Sequence, residues 1–194
     1  MAVPVVLVLA ALLLLLAYLV FRRIVRLSYC EDGRLAPLAA VLQLLVFAAY
    51  MPFPCLFNPP EWLWFWRIPE SGNRALFVTG LVVTCLGFVV AFGTMGWFGV
   101  RRAFGLSPEG LTISGPYRIT RNPQILGGYL LVIGTSLQWP SIYSLGWVLM
   151  YAIIGHWMVI TEEEHLLKVF GDDFQRYCAE VPRYLGRRTR GVEP

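Results

Sequence analysis

Long apolar runs separated by short polar connections dominate the chain. The runs cover residues 1–21, 36–57, 75–100, 125–138 and 141–160. A helix needs about 20 apolar residues to cross a bilayer, so we expect the short 125–138 run to be tilted or partly covered by other helices. Only Trp139 and Pro140 separate the last two runs, and so short a connection predicts an antiparallel helical hairpin. The pattern therefore predicts an all-α integral membrane protein with about five transmembrane helices.

From Thr161 onward the pattern changes from apolar to amphipathic. The apolar positions recur at roughly helical spacing, at Leu166, Leu167, Phe170, Phe174 and Tyr177. Gly171 is placed to end one helix and Asp172 to cap the next. We expect this segment to form an interfacial, cytoplasmic tail that folds back against the membrane. We divide the chain into an N-terminal two-span region with its periplasmic-side loop, residues 1–74, and a core with the tail, residues 75–194.

The placement of arginines predicts the topology. Arginines follow the first and third runs and recur in the tail, whereas the loop between the second and third runs carries only Arg67 and Arg74. The positive-inside rule then places the N-terminus outside and the C-terminus in the cytoplasm, as five spans require. Lys168 is the single lysine, and this usage suggests a GC-rich bacterial genome and hence the bacterial inner (cytoplasmic) membrane. A signal peptide is the competing interpretation of residues 1–21, but the basic residues follow this run.

Composition excludes several classes of protein. The mean hydropathy is +0.62 and 14% of the residues are charged, against roughly a quarter in soluble domains. No basic face with interleaved aromatic residues is present, so we assign the net charge of +4 to membrane orientation and expect no nucleic-acid partner. The four cysteines follow no metal or disulfide spacing, and we expect no metal site.

Small and aromatic residues suggest how the helices are placed. We expect Cys55 and Cys85 to pack inside the spans. The glycines at 93, 96 and 99 are expected to let helix backbones approach closely, although a ligand could use the same close approach. The tryptophans at 62, 64 and 66 suit the headgroup layer, where an apolar ring can keep its N–H hydrated.

Two polar segments flank the hairpin. The first is the run GPYRITRNPQ at residues 115–124, and the second is the acidic run at residues 162–164. Neighbouring carboxylates on a helix point about 100° apart, so only one or two of them can face one site. The acidic run is either a solvated surface or a source of a carboxylate that faces a cation. That cation would be a bound ligand, Arg118 or Arg121.

The first polar segment also predicts where a helix begins. Pro123 has no N–H and disfavours helical geometry at Asn122, so we expect the fourth helix to begin at Pro123. The N-terminus of that helix can hold a carboxylate. A zwitterion such as S-adenosylmethionine would match it together with a nearby glutamate, as would many other zwitterions. His156 lies inside the last apolar run and is either catalytic or a hydrogen-bonded structural residue.

Both segments resemble motifs of one enzyme superfamily. The run GPYRxxRNP at residues 115–123, with Gly127, resembles the signature G-x-Y-x-x-x-R-H-P-x-x-x-G of the isoprenylcysteine carboxyl methyltransferase and phospholipid methyltransferase superfamily. The run EExxLxxxFGxxFxxYxxxVPR at residues 162–183 is similar to the superfamily's C-terminal motif. Two ordered motifs separated by an apolar hairpin are a specific combination.

The resemblance implies a small membrane methyltransferase that uses S-adenosylmethionine. It also implies a cofactor pocket that faces the cytoplasm and a lipid-side entrance for an apolar acceptor. The implied cofactor-binding residues are Glu109, Gly110, Leu111, Thr112, Tyr117, Asn122, Pro123 and Glu162. The candidate catalytic residues are Arg121, which could neutralise the cofactor carboxylate or bind a lipid phosphate, and Glu163 and His156, which could act as a general base.

Three positions depart from the superfamily pattern. Asn122 replaces the usual histidine, Ile125 stands where prenylcysteine enzymes tend to have tyrosine, and Met158 stands where they tend to have arginine. A prenylcysteine carboxylate inside a membrane needs a cationic partner, because burying it alone is costly. We therefore expect a lipid or a small apolar amine, thiol or other nucleophile as the methyl acceptor.

Two other functions stay open. Membrane sterol and enone reductases that use NADPH share a related tail and an R-H-P-type loop, although they usually have more spans. A non-catalytic membrane protein that retains the fold is the other alternative. Stabilisation by S-adenosylmethionine, by NADPH or by neither would distinguish the three.

Overall fold

In the part of the chain that the structure describes, all regular secondary structure is helical. This computed structural model describes residues 3–31, 33–58, 73–98 and 110–186. The helices are α1 Val3–Glu31, α2 Pro37–Tyr50, α3 Arg74–Phe98, α4 Pro123–Gln138 and α5 Ile142–Glu180. Short 3-10 turns cover Phe53–Leu56 and Gly115–Arg118. The all-α prediction is confirmed, whereas the predicted tryptophan belt at residues 62–66 lies outside the described residues.

Four of these segments are long and apolar enough to cross a membrane: α1, Pro37–Leu56, α3 and α5. The chain is therefore an integral membrane protein. Helix α4 has 16 residues, so at about 1.5 Å per residue it covers roughly 24 Å of a hydrocarbon core about 30 Å thick. It packs more extensively against α3 than against any other helix. Of the five predicted transmembrane helices, four are therefore full spans, and the fifth, α4, is a short helix.

Helix α1 extends beyond the first apolar run. It continues past Phe21 through a wider π-helical turn, Val20–Val25, and ends at Glu31. Arginine does not end a helix, since its long side chain carries the charge away from the helix axis. Arg22 and Arg26 both pair with Glu164 of α5, at 2.9 and 2.7 Å. The extension thus joins the end of α1 to α5.

Helix α5 unites the last apolar run with the amphipathic tail. Ser141 caps its N-terminus by accepting a hydrogen bond from the backbone N–H of Ser144 at 3.0 Å. The helical geometry is broken at Gly171, whose φ of 48° disfavours any residue with a side chain. The prediction that Gly171 ends a helical segment is confirmed. Beyond it lies a buried group that we name the tail cluster: Phe174, Tyr177 and Val181.

Glycines on the facing sides of α3 and α4 bring the two backbones together. A Cβ on Gly87 would lie 2.5 Å from the backbone nitrogen of Leu131, and one on Gly134 would lie 2.5 Å from that of Thr84. Such backbone contacts leave room only for hydrogen. The prediction that the glycines at 93 and 96 pack against a helix is wrong for the part of the chain that the structure describes, because a Cβ there would meet no described atom within 4 Å. Gly99 lies outside the described residues.

The main core joins the N-terminal helices to α5. The hydroxyl of Tyr50, at the end of α2, donates to the backbone oxygen of Trp147 at 2.9 Å. The Trp147 indole in turn donates to the backbone oxygen of Tyr50 at 3.3 Å. Their rings stack with centroids 5.3 Å apart.

The division into two regions at residue 74 stays a prediction. Packing of Cys55 and Cys85 is a wrong prediction, since both are exposed on the outer faces of their segments.

The close contact between α3 and α4 leads to a first prediction. Gly87→Ala places a methyl group against backbone, which cannot move without separating the helices, so we expect a loss of about 1–3 kcal/mol of stability. Gly93→Ala on the same helix is the matched control and should leave stability unchanged or slightly raised. Thermal unfolding of the purified protein in one detergent measures both variants. Equal midpoints for the two would contradict the packing described above.

Candidate functional site

The polar loop before α4 folds against the end of α3. Gly115 has a φ of 58° and begins the 3-10 turn Gly115–Arg118. A Cβ at this position would lie 2.6 Å from the Trp97 ring, so glycine is needed both for the backbone angle and for the contact. The rings of Trp97 and Tyr117 are 6.5 Å apart. The turn is thus held in a fixed position beside α3.

Helix α4 begins where the sequence predicted, at Pro123. Its N-cap residue is Asn122, whose side chain makes no capping hydrogen bond. Instead, the backbone N–H of Asn122 donates to the Thr120 hydroxyl at 3.2 Å. The Asn122 side chain is therefore free to reach another segment of the chain.

That segment is the end of the tail, which returns to the loop. The backbone N–H of Arg121 donates to the oxygen of Pro182 at 3.0 Å. The backbone oxygen of Arg183 accepts from the Thr120 hydroxyl at 3.1 Å and from the Asn122 amide at 3.0 Å. Three consecutive loop residues thus bind two consecutive tail residues. The loop and the tail, about sixty residues apart, form one unit.

A carboxylate joins the same two segments electrostatically. Glu163 accepts two hydrogen bonds from Arg183, at 2.9 and 2.6 Å, and its other oxygen lies 3.1 Å from Nη1 of Arg121. That Nη1 donates to the Cys178 sulfur at 2.6 Å, so the contact with Glu163 is an ion pair without an aligned hydrogen bond. Hydrogen bonding to Glu163 raises the pKa of Arg183. Arg118, the other cation considered, is exposed.

The three adjacent glutamates have different surroundings. Glu164 pairs with Arg22 and Arg26 of α1, on a different side of α5 from Glu163 and its arginine partners. Of the residues that the structure describes, none forms a hydrogen bond or ion pair with Glu162. Burial raises the pKa of Tyr117, and the negative charge of Glu162 adds to this effect. Glu162 therefore acts electrostatically on the loop while its carboxylate stays available.

Buried polar atoms without partners indicate that this region suits a ligand. Nε of Arg121 and Nε2 of Gln124 are buried, and neither has a hydrogen-bond partner among the described residues. Such groups are rare in folded proteins and call for an explanation. Both are donors at the N-terminus of α4, where the helix dipole favours an anion. These donors suit an anion, whereas the carboxylate of Glu162 suits a cation.

The remaining predicted cofactor residues lie beside this unit. Leu111 packs against the tail cluster, which brings the 110–112 segment to the tail. Gly110 is exposed and Thr112 is half-buried. Glu109 lies outside the described residues. Their assignment to a cofactor stays a prediction.

The two histidines differ in position. His156 is exposed, and its Nδ1 lies 3.1 Å from the Tyr184 hydroxyl. It is seven residues before Glu163, so it lies about two helical turns away on nearly the same face of α5. His165 stacks on Tyr29 of α1 with ring centroids 4.1 Å apart. Only His156 is connected to the loop–tail unit.

Sequence reasoning did not assign roles to three residues of this region. Arg183 binds Glu163, Cys178 accepts from Arg121, and Tyr184 contacts His156. A role for Arg183 could have been suspected, because this cation directly follows Pro182 and an acidic run precedes it in the same tail. The other two contacts depend on the return of the tail to α5, and no local sequence pattern predicts them.

Comparisons with known proteins identify the family of the chain. The family model "Phospholipid methyltransferase" matches residues 73–173, which include α3, α4 and most of α5. An uncharacterized protein of Haemophilus influenzae is 34% identical over 61 residues, which are 31% of this chain and 89% of that protein. No solved structure matches the chain. Because the family match spans more than half of the sequence and covers both the loop and the acidic run, the chain belongs to the phospholipid methyltransferase family.

Proposed function

We propose that the protein is an integral membrane methyltransferase that uses S-adenosylmethionine to methylate a lipid or a small apolar acceptor. The observation that carries this proposal is the union of the loop and the tail through Glu163, Arg121 and Arg183. This union brings the N-terminus of α4 and the free carboxylate of Glu162 into one region. Family membership supports the reaction class, and the geometry supports a cofactor site in this region.

Each charged end of the cofactor has matching groups in the proposed site. The donors on Arg121 and Gln124 would bind its carboxylate, with the α4 N-terminus adding a partial positive charge. Glu162 would face its positive charges. The 109–112 segment, Tyr117, Asn122 and Pro123 would line its sides. When bound, S-adenosylmethionine supplies a methyl group activated by a sulfonium.

The residues of the chain would contribute position and exclusion of water. The ion pairs of Glu163 fix Arg121, so this arginine needs little reorganisation to hold an anion. The tail is bound to the loop through the backbone bonds of residues 182 and 183, and it would exclude water from this side of the region. Holding two reactants in line is a large part of the gain in a direct displacement. No covalent intermediate on the protein is required.

The surroundings of Met158 support an acceptor without a carboxylate. Its sulfur lies 4.0 Å from the Gln43 amide, a neutral group on α2. A carboxylate acceptor would need a cation here because its charge is expensive to bury alone. We therefore propose an amine, a thiol or another neutral nucleophile. The arginine-rich, lysine-poor usage supports a bacterial cytoplasmic membrane. The distribution of arginines supports an N-terminus outside and a site on the cytoplasmic side.

Cofactor binding gives a second prediction. S-adenosylmethionine and S-adenosylhomocysteine should stabilise the purified protein by about 2.7 kcal/mol at a hundredfold excess over the dissociation constant. Glu162→Gln should reduce this shift because the site loses its negative charge. Glu164→Gln is the matched control, since Glu164 pairs with α1, and should keep the shift. Thermal unfolding measures all three proteins.

The alternative functions give different outcomes in the same measurement. Stabilisation by NADPH alone would favour a reductase, and no shift with any ligand would favour a non-catalytic protein. Transfer of a radiolabelled methyl group into lipid extracts, amines or thiols then identifies the acceptor. Transfer lost in Glu162→Gln but kept in Glu164→Gln would support the assignment of the site.

The ion pairs of Glu163 with Arg121 and Arg183 give a third prediction. Glu163→Gln removes a charge that faces Arg121 and Arg183 at an 11% exposed position, so we expect a loss of about 2 kcal/mol of stability even without cofactor. Asp173→Asn breaks the exposed pair with Arg176 and is the control, with an expected change of at most about 0.5 kcal/mol. Chemical or thermal unfolding measures both. Equal effects would show that Glu163 does not hold the loop to the tail.

A further inference from the structure

A histidine and a tyrosine extend the proposed site into the apolar part of α5. Nδ1 of His156 lies 3.1 Å from the hydroxyl of Tyr184, and Tyr184 directly follows Arg183, which binds Glu163. Consecutive residues of the tail thus contact two positions on one helix. Seven residues separate these positions, which corresponds to roughly 10 Å along one face of α5.

The ring of Tyr184 is held from two sides. On one side, Tyr129 of α4 packs edge-on against it, with centroids 6.2 Å apart and an interplanar angle of 88°. On the other side lies His156, with centroids 6.5 Å apart. Tyr129 is itself packed edge-on against Tyr151 at 5.0 Å. The hydroxyl of Tyr184 therefore has a defined position between α4 and α5.

The two nitrogens of His156 differ in their surroundings. Nδ1 has the Tyr184 hydroxyl as its partner, whereas no hydrogen bond reaches Nε2 from the residues that the structure describes. The side chain is exposed, so Nε2 is accessible to an incoming molecule. An accessible polar group among apolar residues is expensive unless it serves a ligand. If Nδ1 carries the proton and donates it to the tyrosine oxygen, Nε2 presents a lone pair.

The chemistry of Tyr184 suits that role. Burial raises the pKa of Tyr184 to about 12, with Tyr129 and Glu163 adding to the effect and Arg183 opposing it. The side chain is therefore a neutral phenol at physiological pH. Its oxygen can accept from Nδ1 without a counter-charge beside the imidazole.

We propose that Nε2 of His156 takes the proton of a protonated amine acceptor, and that Tyr184 is the positioning residue that fixes its tautomer. This inference rests on the proposed function. The N–H bond of the ammonium breaks and its proton bonds to Nε2. The electron pair stays on the amine nitrogen and would form the new bond to the methyl carbon. The methyl–sulfur bond would break, and its electron pair would leave with the sulfur of S-adenosylhomocysteine. The imidazolium later returns the proton to water.

The tautomer can be tested without any acceptor or cofactor. The chain has two histidines, so the ¹⁵N-histidine-labelled protein in phosphatidylcholine nanodiscs gives two imidazole spin systems, and His165→Gln assigns them. We expect His156 to be protonated at Nδ1 and free at Nε2. Tyr184→Phe should produce a mixture of tautomers. A wild-type His156 protonated at Nε2 would overturn the inference and leave the proposed function untouched.

Methyl transfer from radiolabelled S-adenosylmethionine to phosphatidylethanolamine vesicles gives the kinetic test. His156→Gln should lower kcat by about a hundredfold or more. Tyr184→Phe should lower it roughly fivefold without raising the KM for S-adenosylmethionine, since one hydrogen bond is lost. His165→Gln, the control, should keep the wild-type rate.

Each contrary outcome has a distinct meaning. An unchanged kcat in His156→Gln would overturn the proton-accepting role. Wild-type protein that is stabilised by S-adenosylmethionine but methylates neither phosphatidylethanolamine nor soluble amines would refute the amine acceptor, and the inference with it. Absence of any stabilisation by S-adenosylmethionine would instead refute the proposed function.

Discussion

The carboxylate of Glu163 is the charge on which the arrangement of the site depends. It lies at the end of the apolar part of α5 and is 11% exposed, where an unpaired charge would be costly. Its two partners come from segments about sixty residues apart in sequence, Arg121 before α4 and Arg183 after α5. Satisfying one glutamate therefore fixes the loop, the tail and their distance from α5.

This electrostatic union needs a rigid support, which the contact of α3 with α4 provides. Because Gly87 and Gly134 allow backbone to touch backbone, α4 cannot slide along α3 without a clash. The loop before α4 is in turn held against Trp97 of α3. The N-terminus of α4 is thus positioned by packing on one side and by hydrogen bonds from the tail on the other. A helix end held in this way keeps its free N–H groups in one direction.

The sequence predicted those features that depend on neighbouring residues. Apolar runs gave the spans, Pro123 gave the start of α4, and Gly171 gave the break in α5. It failed for the glycines, because spacing alone does not tell which face of a helix meets a partner. The glycines at 93 and 96 share the spacing but meet none of the described helices, whereas Gly87 and Gly134 each meet the backbone of a facing helix. Packing is decided by the partner helix, and that information is not local.

The site was only partly predictable for the same reason. The resemblance selected the loop and the acidic run, and helix geometry required adjacent carboxylates to diverge. Which glutamate would bind which cation depended on the return of the tail and on the extension of α1, both long-range features. The outcome has a chemical consequence for Glu162. Among the described residues, the arginines that reach the run pair with Glu163 and Glu164, so the carboxylate of Glu162 is left to pair with a ligand. Glu162 is suited to a cation because its two neighbours are the residues that pair with the nearby arginines.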